Sequence, residues 1–439
     1  MDPQEIALQN PWRHNAAWAE NDRHLAKLKE YRYTYHRDAL PEGKDGAVVL
    51  YGPRQVGKTT WLKMQIAREK APTNDILYLN AEAAKDRFDL YETVRGEIAL
   101  HAPKRIFIDE IGAVADWEIA IKLLSDSGAF SGRHVILTGS SSLNILKKAE
   151  RLPGRLAEGR NKFRYYPLSF REVAKVYGVE AGNVNEALAR ADGLGTILQK
   201  YFMHGGYIRA INEFARKGEI GEELFALYSS WIDGELAKVK KSPETATFLM
   251  DGVALALTND SPWAALAREV SQPTARGYAE TLRDMFILGN LERSRRANEG
   301  FPKNKKVYFQ DPFLYWLALF RSRKIGRADF SLLDNATMGK LAELSAYAAL
   351  VQCLEGMKKE SDFDLRRYAH FDKGKDGEID FAVKFGKNTE YVECKYGAIG
   401  KEKPGVVYIT KDRLGRNKVP LAVFLMFPQE SVQLARTLE

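Results

Sequence analysis

The sequence predicts an α/β fold whose first part is built on a parallel sheet, and three observations predict it. Short apolar runs recur at residues 47–51, 76–79, 105–108 and 134–138, with the length and character of strands buried on both faces. Helical stretches separate these runs, and such alternation over residues 46–170 is the pattern of a parallel sheet. A loop bounded by Gly52 and Gly57 joins the first run to a helix expected at 59–69.

Composition sets the outer limits. A chain of 439 residues suggests two to four domains, and 45% hydrophobic with 28% charged residues is ordinary for a globular protein. The apolar stretch at 420–427 falls far short of the ~20 residues of a membrane span. The opening Met1-Asp2-Pro3-Gln4-Glu5 has neither the basic nor the apolar region of a signal peptide. Cys353 and Cys394 are the two cysteines, and neither has a neighbour at metal-ligand spacing. A reducing cytoplasm, with no membrane association, is therefore the expectation. The net charge of +8 favours a polyanionic partner, because phosphate contacts supply most non-specific affinity for nucleic acid.

Along the chain, residues 1–45 form a basic, aromatic-rich leader with helical spacing over 24–35, expected to pack on the core at 46–170. The character changes after Pro167. A helical linker is expected over 171–245, a further domain over 246–330 and a final α/β domain over 331–439.

The first site is the loop. Gly52-Pro53-Arg54-Gln55-Val56-Gly57-Lys58-Thr59 fits G-x-x-x-x-G-K-[ST] between a predicted strand and a predicted helix, and Thr60 follows. Glycines let backbone N–H groups wrap a phosphate, and a helix N-terminus favours its charge. Lys58 would reach the β- and γ-phosphates of ATP, and Thr59 would ligate Mg²⁺. Downstream, Arg105-Ile106-Phe107-Ile108-Asp109-Glu110 delivers two carboxylates to a strand's C-terminal end, where parallel sheets bind ligands. Asp109 would hold Mg²⁺ and Glu110 would polarise the attacking water. A third strand ends in Leu137-Thr138-Gly139-Ser140-Ser141. Ser140 is the favoured contact to the γ-phosphate or the water, with Thr138 and Ser141 as alternatives.

These segments, followed by Leu-Pro-Gly-Arg at 152–155 and Tyr-Pro-Leu-Ser-Phe at 166–170, resemble a prokaryotic AAA+-type ATPase group with a C-terminal restriction-endonuclease-type domain. The Asn10-Pro11-Trp12 opening is similar to archaeal members. The resemblance implies an arginine finger or sensor at Arg155, with Arg151 and Arg160 as competitors. A finger acting in trans would require a homo-oligomer.

In the middle, helices are expected at 245–257, 261–270 and 273–287, the last burying Tyr278, Leu282, Met285 and Phe286. Strands near 291–296 and 305–309 follow, joined by a Gly/Pro/Lys tip. This is the order of a winged helix-turn-helix, whose third helix enters the DNA major groove while the wing meets the backbone. Thr274, Arg276 and Arg283 would lie on the recognition helix. Arg293, Arg295, Arg296, Lys303, Lys305 and Lys306 would supply phosphate contacts on the wing.

The final third is expected to form strands at 366–370, 378–384, 390–394, 406–410 and 421–427. Gly377-Glu378-Ile379-Asp380 and Glu393-Cys394-Lys395 resemble the PD-(D/E)xK nuclease pattern. The resemblance implies a divalent metal on Asp380 and Glu393, a water oriented by Lys395, and Glu343 completing the cluster. Such folds also persist as non-cleaving modules.

Together these readings anticipate a Mg-dependent ATPase that couples hydrolysis to the binding or remodelling of DNA, branched or otherwise structured. The alternatives are a nucleotide-dependent switch acting on protein partners and an ATP-gated nuclease.

Overall fold

The computed structural model describes residues 1–37, 46–69, 73–140, 148–152, 154–267, 270–294, 304–374 and 377–438. The chain divides into two compact units, Met1–Tyr166 with Glu360–Asp362, and Pro167–Lys359 with Phe363–Glu439. No helix among the described residues is long and apolar enough to cross a membrane.

The first unit is a parallel five-stranded sheet. Its strands are β1 (Gly46–Tyr51), β2 (Ile76–Asn80), β3 (Arg105–Asp109), β4 (His134–Gly139) and β5 (Lys162–Arg164), in the spatial order β2-β3-β4-β1-β5. All six residues of β1 are buried, as a strand covered on both faces requires. On one side the Trp117–Asp126 helix buries Trp117, Ala120, Ile121 and Leu124, a stripe at helical spacing. The Arg87–His101 helix is capped by Asp86, whose carboxylate accepts the Phe88 and Asp89 N–H groups.

The other face carries the leader. Trp12 and Trp18 join Leu50, Trp61, Leu62, Ile66, Ile76, Tyr78, Phe107 and Ile136 in one buried cluster. Asn10 finishes the sheet edge, accepting the Tyr78 N–H and donating to the Tyr78 carbonyl, both at 2.8 Å. The helix expected over 24–35 is shorter, Arg23–Leu28. Beyond it the backbone departs from the helix to dock on the core. There the Arg37 carbonyl accepts from Trp61 Nε1 and Gln65 Nε2, and the Arg37 guanidinium lies 4.3 Å from the Tyr165 ring centroid.

The second unit opens with helices, the first of them, Phe170–Val176, closed by a Ser169/Glu172 capping box. It then contains a three-stranded antiparallel sheet of β6 (Asp260–Ser261), β7 (Leu288–Glu292) and β8 (Lys305–Phe309), with β8 in the middle. Helices Pro243–Ala256 and Gln272–Asp284 precede the hairpin. The expected helix at 261–270 is only Trp263–Leu266 among the described residues, and Asp260 and Ser261 before it pair with β8. The third helix stops at Asp284, and Phe286 turns to a φ of 59°. The first hairpin strand therefore starts at Leu288, earlier than expected.

The last sheet has the order β13-β12-β11-β10-β9, with β9 (Ala369–Gly374), β10 (Gly377–Val383), β11 (Glu390–Lys395), β12 (Val406–Thr410) and β13 (Lys418–Pro420). The β9–β10–β11 meander is antiparallel, and β12 and β13 add in parallel. The long Asn335–Lys358 helix packs against β11 and β8. The expected strand at 421–427 is instead a helix, Leu421–Met426, with all six residues buried. Full burial removes the polar alternation that would separate strand from helix.

Candidate functional site

Three strand ends of the first unit build the site. At the end of β1, Gly52 runs so close to the next segment that an added Cβ would lie 2.2 Å from the Tyr165 carbonyl oxygen. Glycine is required there by space. At Gly57 it is required by conformation, since φ is +93° just before the Lys58–Arg68 helix. Pro53 is buried, while Arg54, Gln55 and Val56 form a half-buried arc. Thr59 and Thr60 stand in the first turn of the helix.

The Lys58 ammonium is buried and donates to the Gly52 and Pro53 carbonyls at 2.9 and 2.8 Å. It is thus folded over the loop's own backbone, where an anion's oxygens could replace those acceptors. Thr59 Oγ1 donates to Asp109 Oδ2 at 2.6 Å. A hydroxyl and a carboxylate meeting beside the loop are the hard oxygen donors that Mg²⁺ takes. The donor set fits a magnesium–nucleotide pair.

The order of the sheet explains how the rest of the site assembles. Because β4 lies between β1 and β3, its C-terminal end faces both the loop and the carboxylates. Thr138 and Ser140 share a side of the chain, two residues apart. The Thr138 hydroxyl donates to Asp109 Oδ1, and the Ser140 hydroxyl reaches both Glu110 carboxylate oxygens at 2.6 and 2.5 Å. Glu110 itself has a φ of +50°, a left-handed conformation that costs a non-glycine residue roughly 1–2 kcal/mol. Its N–H donates to Asp109 Oδ1 and Thr138 Oγ1, at 3.2 and 3.3 Å, which holds the turn. The alternative Ser141 lies outside the described residues.

One member of this network escaped sequence reasoning. The Tyr78 hydroxyl, on the neighbouring β2, donates to Asp109 Oδ2 at 2.9 Å. Burial first, and then the charge of Asp109, push its phenol well above the ordinary range, so it remains a neutral donor. The Lys63 ammonium sits 4.0 Å from the Tyr78 ring centroid, with Trp12 and Trp18 at 5.3 and 5.7 Å. The available signal was a tyrosine in a fully apolar strand, whose hydroxyl must find a partner.

Arg155 pairs with Asp126 through two hydrogen bonds of 2.7 and 3.2 Å. Arg151 pairs with Glu118 at 3.1 Å, and the Arg160 guanidinium lies 4.6 Å from the Phe163 ring centroid.

In the second unit, Thr274, Arg276 and Arg283 are exposed on the Gln272–Asp284 helix, with Arg276 bonded to Glu280 at 3.0 Å. The hairpin differs from expectation. Arg293 is half-buried and bridges to Phe371 of β9. The Lys305 ammonium lies 4.8 Å from the Trp263 ring centroid. Lys306, expected on an exposed wing, is 1% exposed. β8 is the middle strand of its sheet, so alternate residues of it face inward. Arg295, Arg296 and Lys303 lie outside the described residues.

Lys306 points into the tail's acidic residues. Its ammonium is 3.0 Å from Glu343, 2.7 Å from Glu378 and 2.7 Å from Asp380. The Tyr308 hydroxyl donates to Glu343 at 2.7 Å, and the Cys394 N–H donates to Asp380 at 2.8 Å. Burial, followed by the charge of Asp380, pushes the Glu343 carboxyl upward, while the Lys306 ammonium and the Tyr308 hydroxyl oppose that shift. Glu393 pairs instead with two other ammonium groups, Lys395 at 2.8 Å and Lys403 at 2.9 Å. Burial opposes its charge, yet those two hydrogen bonds keep its carboxyl below the ordinary range.

Comparison with known proteins follows this division. Residues 44–174 match the family model described as AAA domain, and residues 195–324 match a domain of unknown function, DUF8612. An uncharacterized protein of Methanocaldococcus jannaschii, MJ1544, is 24% identical over 366 residues, covering 79% of this chain and 74% of that protein. Among solved structures, the Aeropyrum pernix ORC2 protein with ADPNP and ADP aligns at a TM-score of 0.33 and 11% identity, covering 71% of this chain and 94% of that one. The Aeropyrum pernix ORC1 protein in complex with DNA aligns at 0.29 and 14%, covering 74% and 95%. The first match spans the loop, the carboxylate pair and the β4 end, so the whole candidate site lies in the part of the chain that is similar to an AAA domain.

Proposed function

We propose that the protein is a Mg-dependent ATPase that binds DNA and couples hydrolysis to that binding. The observation that carries the reading is the continuous hydrogen-bonded chain from Thr59 through Asp109 and Thr138 to Glu110 and Ser140. It sets a magnesium-type donor pair and a positioned carboxylate beside a phosphate-binding loop. When bound, Mg²⁺ supplies charge that offsets the phosphate oxygens. Thr59 and Asp109 hold it there, while Lys58 neutralises the β- and γ-phosphates. Glu110 accepts a proton from the attacking water, and Ser140 orients its carboxylate. Arg155 would have to leave Asp126 to reach a phosphate. Such an exchange suits contact with a neighbouring copy.

Tyr78 is a positioning residue in this scheme, because it holds the Asp109 oxygen that Thr59 also holds. Tyr78→Phe is expected to raise the Mg²⁺ concentration for half-maximal hydrolysis by about 10-fold, the usual order for losing a partner of a metal ligand. Affinity for magnesium-free ATP should not move. A magnesium titration identical to wild type would leave Tyr78 a packing residue only.

The DNA part of the reading is supported by Thr274, Arg276 and Arg283 on an exposed helix face. Its test is the steady-state ATPase rate with single-stranded, duplex and branched DNA, beside DNA binding across a salt series. Arg276→Ala with Arg283→Ala is expected to weaken binding and to flatten the salt dependence by about one unit per lost phosphate contact. The basal rate should stay as it is. Unchanged binding and a rate indifferent to every DNA would favour the switch that acts on protein partners.

A further inference from the structure

The Asp380, Glu393 and Lys395 pattern implies a divalent metal, so the residues present can be tested against one. They do not fit it. Octahedral Mg²⁺ takes oxygen ligands at about 2.0–2.1 Å and keeps several waters. Here the oxygens of Glu343, Glu378 and Asp380 instead converge on one ammonium at 2.7–3.0 Å. A second cation at that focus would meet a fixed positive charge. Glu393, the other acid of the pattern, is engaged on one oxygen by Lys395 and on the other by Lys403. Among the described residues, no group of three or more His, Cys, Asp or Glu side chains is arranged to hold a metal ion.

The lysine is not a side chain that happens to swing in from a loop. Residue 306 is paired on both sides, with Asp260 of β6 and Leu291 of β7. Those ladders fix its backbone in a central strand, and the side chain that leaves it is buried. Two residues along the same face, Tyr308 sends its hydroxyl to Glu343 and stacks on Tyr347, with ring centroids 4.4 Å apart. Hairpin and tail are further joined where the Ser294 N–H donates to the Phe371 carbonyl at 2.8 Å. The hairpin thus contributes one side of the acidic cluster.

We infer that Lys306 is the resident cation of the tail's acidic cluster, and that the tail holds no divalent metal there and cuts no DNA. The cluster is an ionic junction that fastens the β7–β8 hairpin to the tail sheet. Such buried junctions are best attested as devices that fix one packing arrangement. The inference is independent of the ATP site.

The test uses the full chain. Manganese binding without nucleotide is read by electron paramagnetic resonance, in an Asp109→Asn background that removes the ATP-site contribution. Duplex, single-stranded and branched DNA are incubated with the wild-type protein and Mg²⁺ or Mn²⁺. The expected result is no manganese whose binding depends on Asp380, and no cutting beyond that of Lys395→Ala. Stoichiometric manganese lost in Asp380→Asn, or cutting abolished by Lys395→Ala, would overturn the inference. Counter-ion character is read separately by melting. Lys306→Met combined with Glu378→Gln and Asp380→Asn should recover most of the Tm that Lys306→Met alone loses. An equal loss in the single and triple variants would show that the lysine is not there to balance charge.

Discussion

Glu110→Gln is expected to lower ATP turnover by about 10²- to 10⁴-fold, the usual contribution of a positioned general base, while nucleotide binding is retained. The substitution is nearly isosteric. A glutamine carbonyl can still accept from Ser140, whose hydroxyl lies 2.5–2.6 Å from the present carboxylate oxygens. The main-chain bonds that hold the left-handed turn, from the Glu110 N–H to Asp109 and Thr138, are untouched. What disappears is the ability to take a proton. Single-turnover hydrolysis beside a fluorescent-nucleotide titration separates the two effects. A rate equal to wild type would place the base elsewhere, whereas lost binding would mean that the turn itself had collapsed.

The second large effect is on stability. Lys306→Met removes the ammonium and leaves Glu343, Glu378 and Asp380 facing one another. Methionine has a similar length and is at home in an interior, so lost volume contributes little. Removing one partner of a buried ion pair costs about 3–5 kcal/mol, because the remaining charge stays uncompensated. In a unit of this size that is a fall in Tm on the order of 10 °C. Differential scanning calorimetry of the full chain measures it. An unshifted Tm would mean that the acids reach water without the lysine, which the burial of Glu343 and Asp380 argues against.

The two halves of the molecule were legible to different degrees. The glycine loop was readable because its pattern is local: Gly52, Gly57, Lys58 and Thr59 stand within one strand–turn–helix. Asp109 and Glu110 were readable for a similar reason, since the strand that carries them ends just there. The order of strands was not written in any single segment. It places β4 between β1 and β3 and so separates the duties of Thr138 and Ser140, one on Asp109 and the other on Glu110. Tyr78 escaped notice, and so did the part Asn10 plays, because each acts on a segment distant in the chain, Tyr78 on Asp109 and Asn10 on the edge of β2.

Charge was harder to interpret than apolarity. The basic residues at 293–306 suggested an exposed wing, but a lysine's letter does not say whether its ammonium meets water, phosphate or a carboxylate. Lys306 is inside because β8 is paired on both edges and buried on both faces. Its counter-ions come from residues 343, 378 and 380, far along the chain. The run at 421–426 shows the same limit for secondary structure. An apolar stretch buried on every side has no period to reveal, and packing made it a helix.

By itself, then, the sequence determined the α/β class, the glycine loop and the carboxylate pair, because these depend on residues adjacent in the chain. The tertiary structure alone decided which hydroxyls hold the carboxylates and which cation sits among the tail's acids. Those outcomes depend on electrostatics between groups that only folding brings within about 3 Å of one another.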